Sequence, residues 1–362
     1  MKWTIAVLPG DGVGPEVTRL AVDVLGSIAK RFNHELKVDF HDIGWSAYEN
    51  HGDPLPQSTL EGCKSADAVL LGAVGDPRGD KLPPDLRPER GLLALRKELE
   101  CFANIRPSRL LSCLADASPL TLETVENTDL VIVRELAGGI YYGEPSGILE
   151  DGEVALDTMR YQRNEIVRIT RVAFEIAMDR KRKVISVDKA NVLSSSRLWR
   201  KTVTEIALEY PKVDCSHMFV DRAAMELVMN PQSLDVLLTS NLFGDILSDE
   251  AAAVVGSIGL LASASLNENG GGIFEPVHGS APDIAGSGSA NPLAAILSAA
   301  MLLRQTYSLE MEARTIEESV EAVLEMGLRT PDLARGTVGA TVGTETIGSA
   351  VSHHILQRLA EK

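Results

Sequence analysis

Short apolar runs alternate with helical patterns along the chain. The apolar runs are Thr4 to Leu8, Leu36 to Ile43, Ala68 to Ala73, Leu130 to Arg134, Lys183 to Lys189 and Val236 to Ser240. An amphipathic pattern from Pro15 to Arg31 predicts a helix after the first run. Because strands that alternate with helices are typical of helix-covered sheets, the sequence predicts an α/β fold. The last three runs end in charged or polar residues, which we expect at a ligand-binding edge of the sheet.

The length of 362 residues exceeds one ordinary core and predicts two or more domains. Three Gly- and Pro-rich stretches, Gly75 to Glu89, Gly138 to Gly152 and Asn267 to Pro292, are interpreted as long functional loops. The stretch from Ala251 to Asn267 is uncharged but diluted by glycine and serine. It falls short of about 20 apolar residues, so we interpret it as buried helix and loop rather than a membrane span.

The charge balance is strongly acidic, with 35 Lys and Arg against 51 Asp and Glu and a formal net charge of -16. This sign disfavours nucleic acid or an anionic membrane as a partner, and any anionic ligand needs a local cluster of cations. Four scattered cysteines predict neither a disulfide framework nor a zinc site. The beginning of the sequence resembles no signal or transit peptide, so we expect a cytoplasmic protein.

The segment from Gly10 to Glu16 follows a predicted strand and precedes a predicted helix, as a dinucleotide fingerprint would. The GxGxxG spacing requires glycine at position 15, where the sequence has Pro15. The sequence also contains no GxxxxGK[ST] phosphate loop. A bound nucleotide would therefore be held in another way.

Two carboxylates, Asp245 and Asp249, are four residues apart and share one face if their segment is helical. Their mutual repulsion would favour a hard divalent cation such as Mg²⁺ or Mn²⁺. Asp221 could complete such a site, although spacing alone does not show it. The alternative is a pair of solvated surface carboxylates.

Several further residues have suitable chemistry and are ambiguous when taken singly. Arg96, Arg106 and Arg134 lie at the ends of predicted elements and could bind carboxylates bidentately, or could form ordinary surface pairs. Tyr141 and Lys189 could exchange protons, or could be ordinary residues of amphipathic strands.

These motifs, in this order, resemble the β-decarboxylating dehydrogenase family of isocitrate, isopropylmalate, homoisocitrate and tartrate dehydrogenases. The resemblance covers the segments 8–16, 241–249 and 278–286 and the residues between them. It implies a two-domain α/β fold without a Rossmann motif. The first domain would comprise residues 1–101 and 256–362 and bind the cofactor. The second, 102–255, would carry the dimer interface, the metal and substrate residues and a β arm at about 135–160.

The resemblance also implies roles for the site residues. Arg96, Arg106 and Arg134 would clamp the two carboxylates of a malate-type substrate. Asp245 and Asp249 would bind the metal with Asp221 of a second subunit, so a homodimer would share its active sites. Lys189, also from the partner, would help to deprotonate the C2 hydroxyl. Tyr141 would protonate the enol that decarboxylation leaves.

Within the family, the segment 89–96 is expected to select the substrate. Leu92 and Leu93, with Val192 of the partner, present an apolar wall that suits an isopropyl group, while Glu89 would repel a carboxylate. The implied reaction is oxidative decarboxylation of 3-isopropylmalate in leucine biosynthesis. The alternatives are a tartrate/D-malate or homoisocitrate activity and, in another class, a non-catalytic regulatory subunit.

The resemblance places the cofactor on the loop 278–291. Asp283 would accept hydrogen bonds from the adenosine ribose and repel a 2′-phosphate, which favours NAD over NADP. Without the resemblance, this segment is interpreted as a surface loop with a turn-forming Asp. The expected cofactor-binding residues are Glu89, Glu275, His278, Gly279, Ser280, Ala281, Pro282, Asp283, Ile284, Ala285, Gly286 and Asn291.

Overall fold

The computed structural model describes residues 1–334 and 341–357. The strands are β1 (Lys2–Gly10), β2 (Glu35–Phe40), β3 (Ala68–Ala73), β4 (Ala103–Arg109), β5 (Asp129–Glu135), β6 (Gly147–Leu149), β7 (Val154–Leu156), β8 (Lys183–Asp188), β9 (Asp214–Phe219), β10 (Val236–Thr239), β11 (Ala262–Leu266) and β12 (Gly272–Pro276). The helices are α1 (Gly14–Phe32), α2 (Trp45–His51), α3 (Gln57–Ser65), α4 (Pro88–Glu98), α5 (Leu122–Val125), α6 (Arg163–Met178), α7 (Ser194–Ala207), α8 (Val220–Met229), α9 (Asn241–Val255), α10 (Leu293–Tyr307), α11 (Glu310–Glu325) and α12 (Thr344–Gln357). This is the mixed α/β architecture that the alternating pattern predicts.

The chain divides into two compact units, one of Met1–Cys101 with Gly256–Lys362 and one of Phe102–Val255. Residues 335–340 and 358–362 of the predicted first domain lie outside the described residues. In the first unit the strands follow the order β2-β1-β3-β12-β11. All neighbours pair in parallel except β11 and β12, which are antiparallel.

The long helix α1 shows how sequence periodicity builds the first unit. Val17, Leu20, Val24 and Ile28 recur at helical spacing, and all are at most 1% exposed. Pro15 stands in the first turn, where its missing N–H has no helical partner to lose. The helix ends at Asn33, whose φ of 57° is left-handed, with its backbone N–H donating to Ala29 O.

The glycines that follow β1 serve close packing. Gly10 and Gly12 have φ of +70° and +57°, and a Cβ atom on them would lie 1.9 Å from Ala73 O and 2.0 Å from Ser280 O. Only glycine fits where backbone approaches backbone this closely. The structure thus explains these glycines without a phosphate-binding role.

The strands of the second unit follow the order β4-β5-β10-β8-β9, with β4 antiparallel to β5 and the other neighbours parallel. Ile132, Ile185 and Leu237 from its strands pack with Leu227 of α8 and Leu247 of α9 in one buried cluster. β6 and β7 form a separate antiparallel hairpin whose residues are exposed. This hairpin lies within the predicted arm at 135–160.

The sequence interpretation was wrong about two strands in the first unit. Residues 251–267 were expected to be helix and loop, but β11 occupies Ala262–Leu266, and β12 lies within the expected loop 267–292. β11 reads Ala-Ser-Ala-Ser-Leu, which has little intrinsic β-propensity. Its burial between neighbouring elements decides its conformation, which local sequence cannot report.

None of the helices in the described part of the chain is long and apolar enough to cross a membrane. The interpretation of 251–267 as a buried segment agrees with this finding.

The buried carboxylate of Asp11 ties three segments of the first unit together. It accepts backbone hydrogen bonds from Trp45 and Ser46 at 2.9 Å and from Gly75 at 2.8 Å. Burial raises the pKa of Asp11, and the three N–H donors counter this rise only in part. Asp11 therefore accepts hydrogen bonds from three backbone N–H groups that have no partner in a β-strand.

Replacing Asp11 with Ala should lower the free energy of unfolding by about 3 kcal/mol, because buried N–H groups lose their acceptor. Urea unfolding of the purified protein measures this loss. The control is Asp23→Ala on the surface of α1, where the side chain is 52% exposed and pairs with Arg19. It should change the value by less than about 0.5 kcal/mol. Equal effects of the two substitutions would contradict the role of Asp11.

Candidate active site

Two buried arginines form the centre of the candidate site, in the second unit. Arg106 of β4 is 7% exposed and Arg134 of β5 is 3% exposed. Arg106 donates from Nη1 to Ser248 Oγ at 2.6 Å, and Arg134 donates from Nη1 to Asp245 Oδ1 at 2.5 Å. Because β4 and β5 are adjacent, the sheet brings both guanidinium groups to one place.

The two predicted metal ligands lie one turn apart on α9, beside these arginines. Arg106 Nη1 is 3.7 Å from Asp245 Oδ1 and 3.5 Å from Asp249 Oδ1. Burial raises the pKa of Asp245, but Arg134, Tyr141 and Arg106 outweigh it and hold that pKa below its usual range. The pKa of Asp249 is raised by burial, which Arg106 opposes and the charge of Asp245 reinforces. The pKa of Asp245 is therefore below its usual range and that of Asp249 above it, although the two carboxylates lie one helical turn apart.

Tyr141 joins the same group from the start of the arm. Its hydroxyl donates to Asp245 Oδ2 at 2.7 Å, and its ring lies 5.8 Å from the Arg134 guanidinium carbon. Burial and the hydrogen bond to Asp245 raise the pKa of Tyr141 to about 12. At neutral pH the hydroxyl keeps its proton and can donate it.

The chemistry of Asp245 and Asp249 fits a divalent cation, since both offer hard carboxylate oxygens from one helix face. Among residues 1–334 and 341–357, no three carboxylate, imidazole or thiol groups are close enough to hold one ion.

Lys189 and Asp221 form a pair of their own in the second unit. Lys189 Nζ donates to Asp221 Oδ1, and this hydrogen bond holds the pKa of Asp221 below its usual range. The neighbouring Asp188 is 1% exposed, and Arg200 donates to both of its oxygens at 2.7 and 2.8 Å. Asp188 thus anchors the strand end, while Lys189 lies beside Asp221.

In the first unit, helix α4 presents a mixed face. Glu89, Leu92, Leu93 and Arg96 recur at spacings of three and four residues and share one side of the helix. The opposite side, with Pro88, Gly91 and Leu95, is buried. Arg96 Nη2 donates to Glu275 Oε1 at 2.6 Å, which joins a predicted substrate residue to a predicted cofactor residue. Val192 of the second unit is 62% exposed.

The loop from His278 to Asn291 borders a pocket of about 450 Å³, with further lining from Ile258, Pro331 and Asp332. Within the described residues, His278 Nε2 and Asp332 Oδ1 are buried and have no hydrogen-bond partner. Burial lowers the pKa of His278, so its ring is neutral at pH 7. Two unpaired polar atoms in a mostly apolar pocket fit a heteroaromatic ligand such as adenine.

The sequence interpretation missed the groups that support the clamp. Asn104 Oδ1 accepts from Arg106 Nε at 2.8 Å, and Asn241 Oδ1 accepts from Arg134 Nε and Nη2 at 3.0 and 2.7 Å. One signal was present, because Asn104 stands two residues before Arg106 and strand side chains two apart share a face. Asn241 opens the acidic motif of α9, where an uncharged side chain carries no distinct signal in the sequence.

Glu135 supports the start of the arm. It is fully buried and accepts from the backbone N–H of Ala137 and Gly138 at 3.0 and 2.8 Å. Arg168 and Glu165 of α6 are the other charged groups near it. Burial raises the pKa of Glu135 to about 7, against the lowering by these N–H groups and Arg168.

The chain is similar to known proteins over most of its length. Residues 4–351 match the family model described as isocitrate/isopropylmalate dehydrogenase. The chain is 56% identical to 3-isopropylmalate dehydrogenase of Bacillus subtilis over 92% of this chain and 93% of that one. It is 55% identical to the protein of the same name from Priestia megaterium, over 97% and 95%. Its fold is similar to that of isocitrate dehydrogenase from Methylococcus capsulatus, with a TM-score of 0.87, 35% identity and coverage of 98% and 100%.

The pKa of Glu135 predicts a pH-dependent contribution to stability. The folded-state pKa of about 7 lies above the ordinary value of 4.5, so ionisation favours the unfolded chain and stability falls as pH rises between these values. From about pH 5.5 to about pH 7.5 this group should lower the free energy of unfolding by about 2 kcal/mol.

Urea unfolding of Glu135→Gln across this pH range should show a correspondingly flatter profile than the wild type. Glu209→Gln serves as the control, because that side chain is half exposed and pairs with Arg171. Its profile should follow the wild type. Parallel profiles for wild type and Glu135→Gln would refute the assignment.

Proposed function

The chain belongs to the isocitrate/isopropylmalate dehydrogenase family, and from this we propose that it oxidatively decarboxylates 3-isopropylmalate to 4-methyl-2-oxopentanoate and carbon dioxide with NAD. This reaction is the dehydrogenase step of leucine biosynthesis, and the chain is an oxidoreductase. The observation that carries the proposal is the convergence of Arg106, Arg134, Tyr141, Asp245 and Asp249. It combines an anion clamp, a cation site and a proton donor.

The substrate carboxylates are bound by arginine. Arg106 and Arg134 have charged forks that suit bidentate pairing with a carboxylate. A neutral asparagine oxygen accepts a hydrogen bond from the Nε of each arginine, which fixes the orientation of the guanidinium group. Arg96 stays a prediction as the third clamp residue, and its ion pair with Glu275 would have to rearrange for this role.

Asp245 and Asp249 would hold the divalent cation, and the loop 278–291 would hold NAD. When bound, the cation would supply Lewis-acid polarisation at the C2 oxygen and NAD would supply the hydride acceptor. Tyr141 keeps its proton until decarboxylation, because its raised pKa disfavours ionisation. It would then donate that proton to C3 of the enol. Lys189 would accept the proton of the C2 hydroxyl after losing its own proton to solvent and its hydrogen bond to Asp221.

We place Lys189 and Asp221 in the active site of a second subunit. Within the described chain, Asp221 forms no three-carboxylate group with Asp245 and Asp249 that could hold an ion. The second unit also exposes apolar side chains on helices α8 and α9 and on the β6–β7 hairpin, where a subunit contact would cover them. They are Met225, Val228, Met229, Ile246, Ile148, Leu149, Val154 and Leu156.

The α4 face supports an alkyl-bearing substrate. Leu92 and Leu93 are partly exposed beside Glu89, which opposes a third carboxylate. Burying an isopropyl group against such a surface contributes about 0.8 kcal/mol per CH₂. We propose NAD rather than NADP because Asp283 and the adjacent Ile284 offer a 2′-phosphate no cation. All four cysteines are free thiols, which supports a reducing, cytoplasmic location.

Initial rates of reduced cofactor formation test the proposed function. With Mg²⁺, the purified protein should prefer 3-isopropylmalate and NAD by at least about tenfold over D-malate, tartrate, homoisocitrate and isocitrate. D-malate lacks the isopropyl group, and the other three would place a hydroxyl or a carboxylate against the apolar wall. Each substrate is measured with NAD and with NADP. A preference for another substrate would refute the pocket argument, and no turnover of any would favour the regulatory-subunit alternative.

Shared active sites predict complementation between two inactive variants. Lys189→Ala and Asp249→Asn should each abolish turnover, since each removes a group from every site. Reversible dissociation and reassociation of an equal mixture should restore about a quarter of wild-type activity, because half of the dimers are hybrid and each has one intact site. The matched control mixes Asp245→Asn with Asp249→Asn, which affect the same half-site. Recovery there, or none in the first mixture, would contradict the shared site.

A further inference from the structure

The uncharged side-chain amides of two asparagines accept hydrogen bonds from the two clamp arginines, Arg106 and Arg134. Arg106 Nε donates to Asn104 Oδ1, and Arg134 Nε and Nη2 donate to Asn241 Oδ1. Both asparagines are 0% exposed. A buried arginine more commonly pairs with a carboxylate, which would accept the same hydrogen bonds more strongly. Asp245 is such a carboxylate partner at Nη1 of Arg134. It is the neutral acceptor at the Nε of both arginines that calls for a physical reason.

The local structure fixes the orientation of these asparagines. Asn104 lies directly opposite Arg134 in the β4–β5 ladder and two residues before Arg106, so the three side chains share one face of the sheet. Asn241, at the start of α9, donates from Nδ2 to Leu136 O at 3.2 Å and to Gly138 O at 3.0 Å. Its oxygen is thereby directed at Arg134.

Charge counting gives the reason. The two arginines contribute two positive charges, and Asp245 and Asp249 balance them. A divalent cation on these aspartates restores a net charge of about +2, which matches a dicarboxylate substrate. A carboxylate at position 104 or 241 would keep the arginine in place but cancel part of this charge.

We propose that Asn104 and Asn241 are positioning residues that orient Arg106 and Arg134 while leaving their charge available to the substrate carboxylates. The inference rests on the proposed function, in which these arginines bind the substrate. Substrate affinity would then depend on the amide being uncharged as well as on the hydrogen bond that the amide accepts.

Asn104→Asp and Asn104→Ser separate charge from hydrogen bonding. Asn104→Asp preserves the acceptor and shape but adds a negative charge, whereas Asn104→Ser shortens the side chain and adds none. We expect Asn104→Asp to raise the KM for 3-isopropylmalate at least about tenfold, through charge cancellation next to Arg106. Asn104→Ser should raise it less, and the KM for NAD should stay within about twofold in both.

The opposite order would overturn the inference, because a residue that only supplies an acceptor tolerates Asp better than Ser. Asn241→Asp repeats the test on Arg134, so a folding defect in one variant does not decide the outcome. Thermal unfolding of each variant identifies such a defect.

Calorimetry of 3-isopropylmalate binding, with Mg²⁺ and without NAD, distinguishes a failure of the proposed function from a failure of the inference about the amides. If the wild type neither binds nor converts 3-isopropylmalate, the proposed function fails. If the wild type does both and Asn104→Asp matches its affinity within about twofold, the proposed function stands and the inference about the amides fails.

Discussion

Burial of two arginine side chains is the constraint on which the arrangement of the second unit depends. A buried guanidinium requires partners for its N–H groups and a compensating charge nearby. Arg106 and Arg134 obtain both from neighbouring strands and from the first turns of α9. The same groups form the candidate site, so stability and function use one set of contacts.

Much of this fold follows from periodicity alone. The predicted runs became β1, β2, β3, β5, β8 and β10, and the predicted first helix became α1. Buried strands such as Ala68–Ala73 are continuous runs of apolar residues, so the sequence alone predicts them. β11 and β12 could not be predicted in this way. β11 consists mostly of alanine and serine, which adopt a strand there only through burial and pairing with neighbours, and β12 has only Ile273 and Phe274 between a glycine and a Glu-Pro pair.

The site was predictable in part for a similar reason. Charged residues such as Asp245, Asp249 and Arg134 stand out in sequence, and their resemblance to a family motif gives them an order. Asn104, Asn241 and Glu135 do not stand out, because their roles depend on tertiary geometry: a cross-strand neighbour, a helix start and a backbone turn. The structure adds that Asp221 pairs with Lys189 and forms no three-carboxylate group with Asp245 and Asp249 among the described residues, which no spacing argument could supply.

The discontinuity of the first unit bears on how the chain is made. β3 pairs in parallel with β12 through Val69 and Ile273, so synthesis must pass through the whole of Phe102–Val255 before this pairing is possible. The second unit is contiguous and can fold on the ribosome while the first still lacks two of its five strands. Closing the first unit then joins residues far apart in sequence, an entropically expensive and slow event. During translation, β3 therefore presents an unpaired edge, which is a template for pairing with another chain until β12 is made.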